Sequence, residues 1–333
     1  MTGLRRLRGW WLAKRRFQFA LTLVTVSALT AACGALLMLP NSVLPKLRAV
    51  APASDALTVT DPQLAELRRT MESYGKLVIE PVPTGAGKVG AVVGHPARQS
   101  DIDVLAGELA AATTAVSSLW GSDWSQAPVV VVASSPAEFA ALTHETGTVP
   151  AEVAAATVAD PFHPGTQPKG QRVVFGSEAG RRLGADGLRV TLRHELTHVA
   201  TRAVTVDGSP QWMLEGFPEY SAYRGLRRPI TETAPTLTHR ARAGELPAEL
   251  PSDALFAPGG QPALAYEQGW AACAFIADRF GEQQLVALYR QLATGAKDRA
   301  AVDGIFQKTL GTPYSAFVAD WRAWITSRTA EGA

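Results

Sequence analysis

Leu192-Arg193-His194-Glu195-Leu196-Thr197-His198-Val199 is the stretch on which the reading of this chain turns. Leu192, Leu196 and Val199 recur at helical spacing, so one face of the segment seeks a core. Side chains four apart stand one above the other on an α-helix, which puts His194 and His198 on a common face. Two imidazoles on a half-buried face are costly unless something bonds them. One divalent ion would bond both. Glu195 adds a carboxylate beside the first ring, so His-Glu-x-x-His offers two zinc ligands and a general base within five residues. The alternative, a surface helix with two unrelated histidines, fits the apolar positions poorly.

The rest of the composition narrows the setting. The 333 residues are 47% hydrophobic and 19% charged, with a net charge of +2, as expected of a folded protein. No basic stripe interleaved with aromatics runs through the body of the chain, so no nucleic-acid partner is expected. The two cysteines, Cys33 and Cys273, form no Cys-x-x-Cys pair and no disulfide framework. His95, His144, His163 and His239 lie far from each other in sequence, and only His194 and His198 cluster.

Arg5, Arg6, Arg8, Lys14, Arg15 and Arg16 precede an uncharged run from Phe17 to Leu39. Such a run reaches the roughly 20 residues that span a bilayer. It exceeds the apolar core of a cleaved signal peptide, and the Thr30-Ala31-Ala32-Cys33 stretch departs from a lipoprotein site at Thr30. The reading is a cytoplasmic basic tail over 1–16, one transmembrane helix over 17–39, and a Pro-bearing linker over 40–60. An extracytoplasmic domain over 61–329 follows, which makes the expected location the cell membrane, single-pass. A secreted protein whose N-terminus is removed is the competing topology.

Within that domain, Leu64–Tyr74 and Asp101–Leu119 have helical spacing, and Leu77–Ile79, Pro128–Ala133, Val153–Val158 and Gln171–Phe175 read as strands. Gly85-Ala86-Gly87-Lys88-Val89 lacks the phosphate-loop spacing and its terminal Ser or Thr, so it is read as a loop. Ser134-Ser135-Pro136 opens a helix. After Gly187 the pattern turns helical, with breaks near 206–210, 225–262 and 295–313. A sheet-containing part over 61–186 and a helical part over 187–329 make the fold class α+β.

A catalytic zinc needs a third protein ligand and an open position. The stretch Trp212-Met213-Leu214-Glu215-Gly216-Phe217 resembles the Trp-Leu-x-Glu-Gly-Phe segment of the gluzincin metallopeptidases, which include thermolysin-like and M1-aminopeptidase-like enzymes. The resemblance implies a thermolysin/M1-like catalytic domain with a small mixed sheet and a helical half. It implies Glu215, separated from His198 by sixteen residues, as third ligand of one Zn2+, and Glu219 as the carboxylate that orients a ligand histidine. Pro218, between the two glutamates, suits a helix that begins near Leu214 or Glu215. Ala265-Tyr266-Glu267-Gln268-Gly269-Trp270 is similar to the Tyr-Glu-Lys-Gly segment of M1-type enzymes, with Gln268 in place of Lys, which implies an oxyanion-stabilising role for Tyr266. A tyrosine merely packed at a helix start fits as well.

Residues 100–325 taken together resemble the peptidase-MA-like membrane proteins of actinobacterial type. The resemblance implies peptide-bond hydrolysis outside the cytoplasmic membrane, on a peptide or protein substrate, with water activated by Glu195. Val173 and Val174, in the strand before the metal helix, are expected to line the substrate as an edge strand, or else to be ordinary sheet residues. The Gly-Ala-Met-Glu-Asn signature of M1 aminopeptidases does not occur in the sequence. The rival class is a non-catalytic zinc-bearing binding module.

Overall fold

The computed structural model describes residues 62–85, 87–144, 153–163 and 165–330. The basic tail, membrane helix and linker expected over 1–60 lie outside these residues. The N-terminal part is a mixed sheet between helices. Its strands are β1 (Val78–Gly85), β2 (Lys88–Gly94), β3 (Val129–Val132), β4 (Ala155–Val158) and β5 (Arg172–Phe175), in the order β1-β2-β3-β5-β4. β2, β3 and β5 are parallel neighbours, while β1 and β4 run antiparallel to theirs.

The four valines of β3 show why this sheet forms where it does. Val130, Val131 and Val132 are fully buried, because both faces of a central strand are covered. On one face Val92, Val130, Val132, Val173 and Phe175 meet the apolar side of α2 (Gln99–Trp120). On the other, Ala91, Val93, Val131 and Val174 meet Leu67 and Met71 of α1 (Pro62–Glu72) and Phe139 and Leu142 of α3 (Pro136–Thr143). Ser135 caps α3 by accepting the Glu138 N–H at 3.2 Å, a contact worth about 1 kcal/mol. Glu138 is itself buried against His95, whose Nε2 lies 2.8 Å from its carboxylate.

With its leading turn, α2 is long and apolar enough, by length and composition, to cross a membrane. Here Ile102, Leu105, Leu109, Ala112 and Val116 bury one face of it in the core instead.

The helical part begins with α4 (Ala179–Thr201), earlier than the expected start after Gly187. Gly184, at φ +65°, interrupts it with a non-helical residue, a conformation that glycine adopts without steric cost. Then follow α5 (Gln211–Tyr223), α6 (Ile230–Thr233), α7 (Pro235–Arg242), α8 (Asp253–Phe256), α9 (Pro262–Phe280), α10 (Glu282–Leu292), α11 (Arg299–Leu310) and α12 (Tyr314–Ala330). The expected breaks at 225–262 and 295–313 thus contain the short helices α6 to α8 and the whole of α11. Where a loop was expected over 85–89, β1 runs to Gly85 and β2, antiparallel to it, already starts at Lys88. Gly90 and Gly94, within that strand, break up its apolar pattern.

Candidate metal centre

α4 carries the first three site residues. Its buried face is secured twice: Arg193 donates to Glu108 of α2 at 2.9 and 2.6 Å, and the Thr197 hydroxyl lies 2.8 Å from the Ser221 hydroxyl of α5. These ties fix the roll of the helix and turn His194 and His198 toward α5. His194 and Glu195 are buried and His198 is half-buried. Arg193 is therefore a strut between helices.

α5 brings Glu215 against both imidazoles. Its Oε2 lies 3.4 Å from His194 Nε2 and 3.5 Å from His198 Nε2, and the two Nε2 atoms are 3.1 Å apart. Donors 2.0–2.1 Å from a tetrahedral zinc are about 3.3 Å from one another. The three edges of this triangle match that separation, and two imidazoles with one carboxylate are a donor set that suits zinc. The residues fit the ion.

Glu219, one turn beyond Glu215, accepts from His194 Nδ1 at 2.8 Å. A proton held on Nδ1 leaves Nε2 as the lone-pair donor toward the triangle. Burial alone would lower the His194 imidazole, but hydrogen bonds to Glu215 and Glu219, with the charges of Glu219 and Glu195, raise it well above its ordinary value. Burial alone would raise the Glu215 carboxyl, yet the His198 charge and hydrogen bonds from both rings hold it far below the usual range.

Pro218 does not fall in a first turn. α5 starts at Gln211, so Pro218 sits in the helix interior and withholds the N–H that would bond the Leu214 carbonyl. Its ring is buried, and the glutamates on either side keep their helical spacing.

Tyr266, on α9, has its ring centroid 6.2 Å from that of His194 and packs edge-on against Phe256 at 5.5 Å. Burial, then the charge and hydrogen bond of Glu215, push its hydroxyl up, so it remains a donor at the edge of the triangle. Glu267, next in sequence, instead accepts the Leu237 N–H at 2.6 Å and braces the start of α7.

Of the two readings left open for Val173 and Val174, the fold supports ordinary sheet residues rather than an edge strand. β5 lies between β3 and β4, and both valines are 0% exposed, so neither can line a substrate. Among the described strands the edge beside α4 is β4. That strand supplies a residue the sequence reading missed. Thr157 donates to Glu195 Oε2 at 2.7 Å and lies 3.1 Å from the Glu195 carbonyl. Its sole signal in sequence was a lone hydroxyl in an otherwise apolar strand.

No protein-family model and no curated protein sequence matches the chain. Among solved structures it is similar to the M1 zinc metallopeptidase from Deinococcus radiodurans, at 17% identity and a TM-score of 0.43, over 76% of this chain and 53% of that one. A mutant form of an M1 zinc metallopeptidase from the same organism, bound to a Tyr-Ser-Ala substrate, matches at 16% identity and a TM-score of 0.44, with the same coverage. A two-domain M1 zinc metallopeptidase mutant bound to L-arginine matches at 16% and 0.43, over 76% of this chain and 52% of that one. The chain thus spans about half the length of the solved proteins it matches.

Proposed function

We propose that this chain is a zinc-dependent peptidase of gluzincin type, acting outside the cytoplasmic membrane to which residues 17–39 anchor it. The observation that carries the reading is the triangle of His194, His198 and Glu215 donor atoms, with the Glu195 carboxylate on the adjoining position of the same helix. His194, His198 and Glu215 hold the zinc, which when bound supplies Lewis acidity toward water and a peptide carbonyl. Glu195 takes the proton of the attacking water and later gives it to the leaving amine. Glu219 fixes the tautomer and angle of His194. Tyr266, kept protonated, donates to the oxyanion as negative charge develops on the carbonyl oxygen. An extended peptide pairs with the outer edge of β4, the role first assigned to β5. The basic residues before position 17 favour the orientation that leaves the site outside.

The test is zinc content and peptide cleavage of the full-length protein beside His198→Ala, Glu215→Ala and Glu195→Gln. About one zinc per chain is expected, lost or weakened in the first two variants and kept in the third, with cleavage abolished in all three. Zinc binding without cleavage of any peptide in a broad mixture would point to the binding module instead. Absence of zinc in the intact protein, after controls for stripping, would sink the reading altogether.

A further inference from the structure

We infer that Thr157 is a positioning residue for Glu195, and that it links the strand on which a peptide docks to the carboxylate that receives the water's proton. The inference rests on the peptidase reading and names a residue that this reading does not require.

The register of β4 carries the first half of the argument. β4 pairs with β5 through Ala155 opposite Phe175 and Thr157 opposite Val173. The Gly176 N–H donates to the Ala154 carbonyl at 2.9 Å, which makes 154 and 176 a hydrogen-bonded pair. Antiparallel pairs alternate, so Ala156 and Val158 turn their backbone groups toward β5. Ala155 and Thr157 turn theirs the other way, to the outer side of the sheet as described. The Thr157 N–H and carbonyl are therefore set to meet an added strand.

The side chain carries the second half. Along a strand successive side chains take opposite faces. Ala156 and Val158 pack with the cluster of α1 and α3, while Thr157 is on the face of α4. A hydroxyl has a single proton, and a carboxylate draws it more strongly than a neutral carbonyl. The 2.7 Å contact to Glu195 Oε2 is accordingly the bond that forms, and the 3.1 Å contact to the Glu195 carbonyl is secondary. One carboxylate oxygen is held and the other stays available to water. Thr157 is β-branched and therefore stiff at χ1, so its hydroxyl moves with the strand. Any shift of β4 as a peptide pairs with it is passed directly to the base.

The experiment compares Thr157→Val, which keeps shape and strand preference, with Thr157→Ser, which keeps the donor. Both are made in the full-length, zinc-loaded protein, and zinc content is checked in each. Turnover of a cleaved peptide is one readout. The affinity of a peptidyl hydroxamate is the other, since its acidic proton also needs a well-placed Glu195. For Thr157→Val the expected result is a kcat lower by about 10- to 100-fold with KM within about twofold, the scale of a misplaced catalytic group. Hydroxamate affinity should weaken as well, and Thr157→Ser should recover most of both.

Unchanged kcat and affinity in Thr157→Val would overturn the inference, as would equal losses in the valine and serine variants. If the wild type cleaves no peptide, the peptidase reading fails separately. The hydroxamate arm then decides alone: weakening in valine with recovery in serine sustains the Thr157 role, and equal affinities remove it.

Discussion

A β-carbon built on Gly216 would lie 2.5 Å from the carbonyl carbon and oxygen of Gly269, so α5 and α9 meet backbone to backbone at these two residues. Gly216 follows Glu215, and Gly269 lies three residues after Tyr266. The close crossing is what brings Glu215 and Tyr266 to one place. Gly216→Ala must push the helices apart, because the obstacle is backbone that cannot rotate away. The expected loss is about 1–3 kcal/mol or more of stability, with weaker zinc binding, read by thermal unfolding and zinc titration. A variant of wild-type stability that binds zinc normally would show that the crossing can relax.

Glu219 meets the His194–His198–Glu215 triangle through His194 Nδ1. Glu219→Gln preserves the size of the side chain but removes the charge that holds Nδ1–H. Zinc affinity should fall about 10- to 100-fold, measured by competition with a chromophoric chelator, while the fold is retained. Equal affinities would leave Glu219 a bystander.

Tyr266→Phe separates transition-state stabilisation from packing. The ring stays against Phe256, and only the hydroxyl is lost. Steady-state kinetics should show kcat reduced by about 100-fold, as for loss of one oxyanion donor, with zinc content unchanged. Unaltered kcat would assign Tyr266 to the helix packing alone.

Away from the site, Glu282 joins α10 to α5. It accepts from Arg224 Nη2 and from the Tyr220 hydroxyl, each at 2.8 Å. The Arg224 hydrogen bond, aided by Tyr220, lowers the Glu282 carboxyl below its ordinary value of 4.5 against the opposing effect of burial. A carboxyl lowered in the folded state adds stability above the unfolded value and loses it as pH falls through the folded one. Glu282→Gln should therefore be less stable than wild type at pH 7, and the gap should close as pH drops below 4.5. Partial exposure makes the gap shrink in high salt. A gap that persists in acid would mean that shape, rather than charge, holds this junction.

Local patterns accounted for much of what was legible. Helical spacing marked α2 and α4, the valine run marked β3, and Ser135 marked the start of α3, because each of these signals is completed within one element. The errors also have local causes. Gly90 and Gly94 interrupt the β2 pattern, and α6 to α8 are too short for periodicity to register. Pro218 suggested a helix start where the burial of α5 against α9 sustains a helix through it.

The sequence by itself determined the pairing of His194 with His198, the carboxylate of Glu195 beside them and the four-residue step from Glu215 to Glu219, since all of these follow from helical geometry. Only the tertiary structure decided that Glu215 closes the triangle, that β4 rather than β5 is the edge, and that Thr157 holds Glu195. Those facts depend on strand order and on helix approach at Gly216 and Gly269. Both are set by packing between residues distant in sequence, on which no periodicity of a single segment bears.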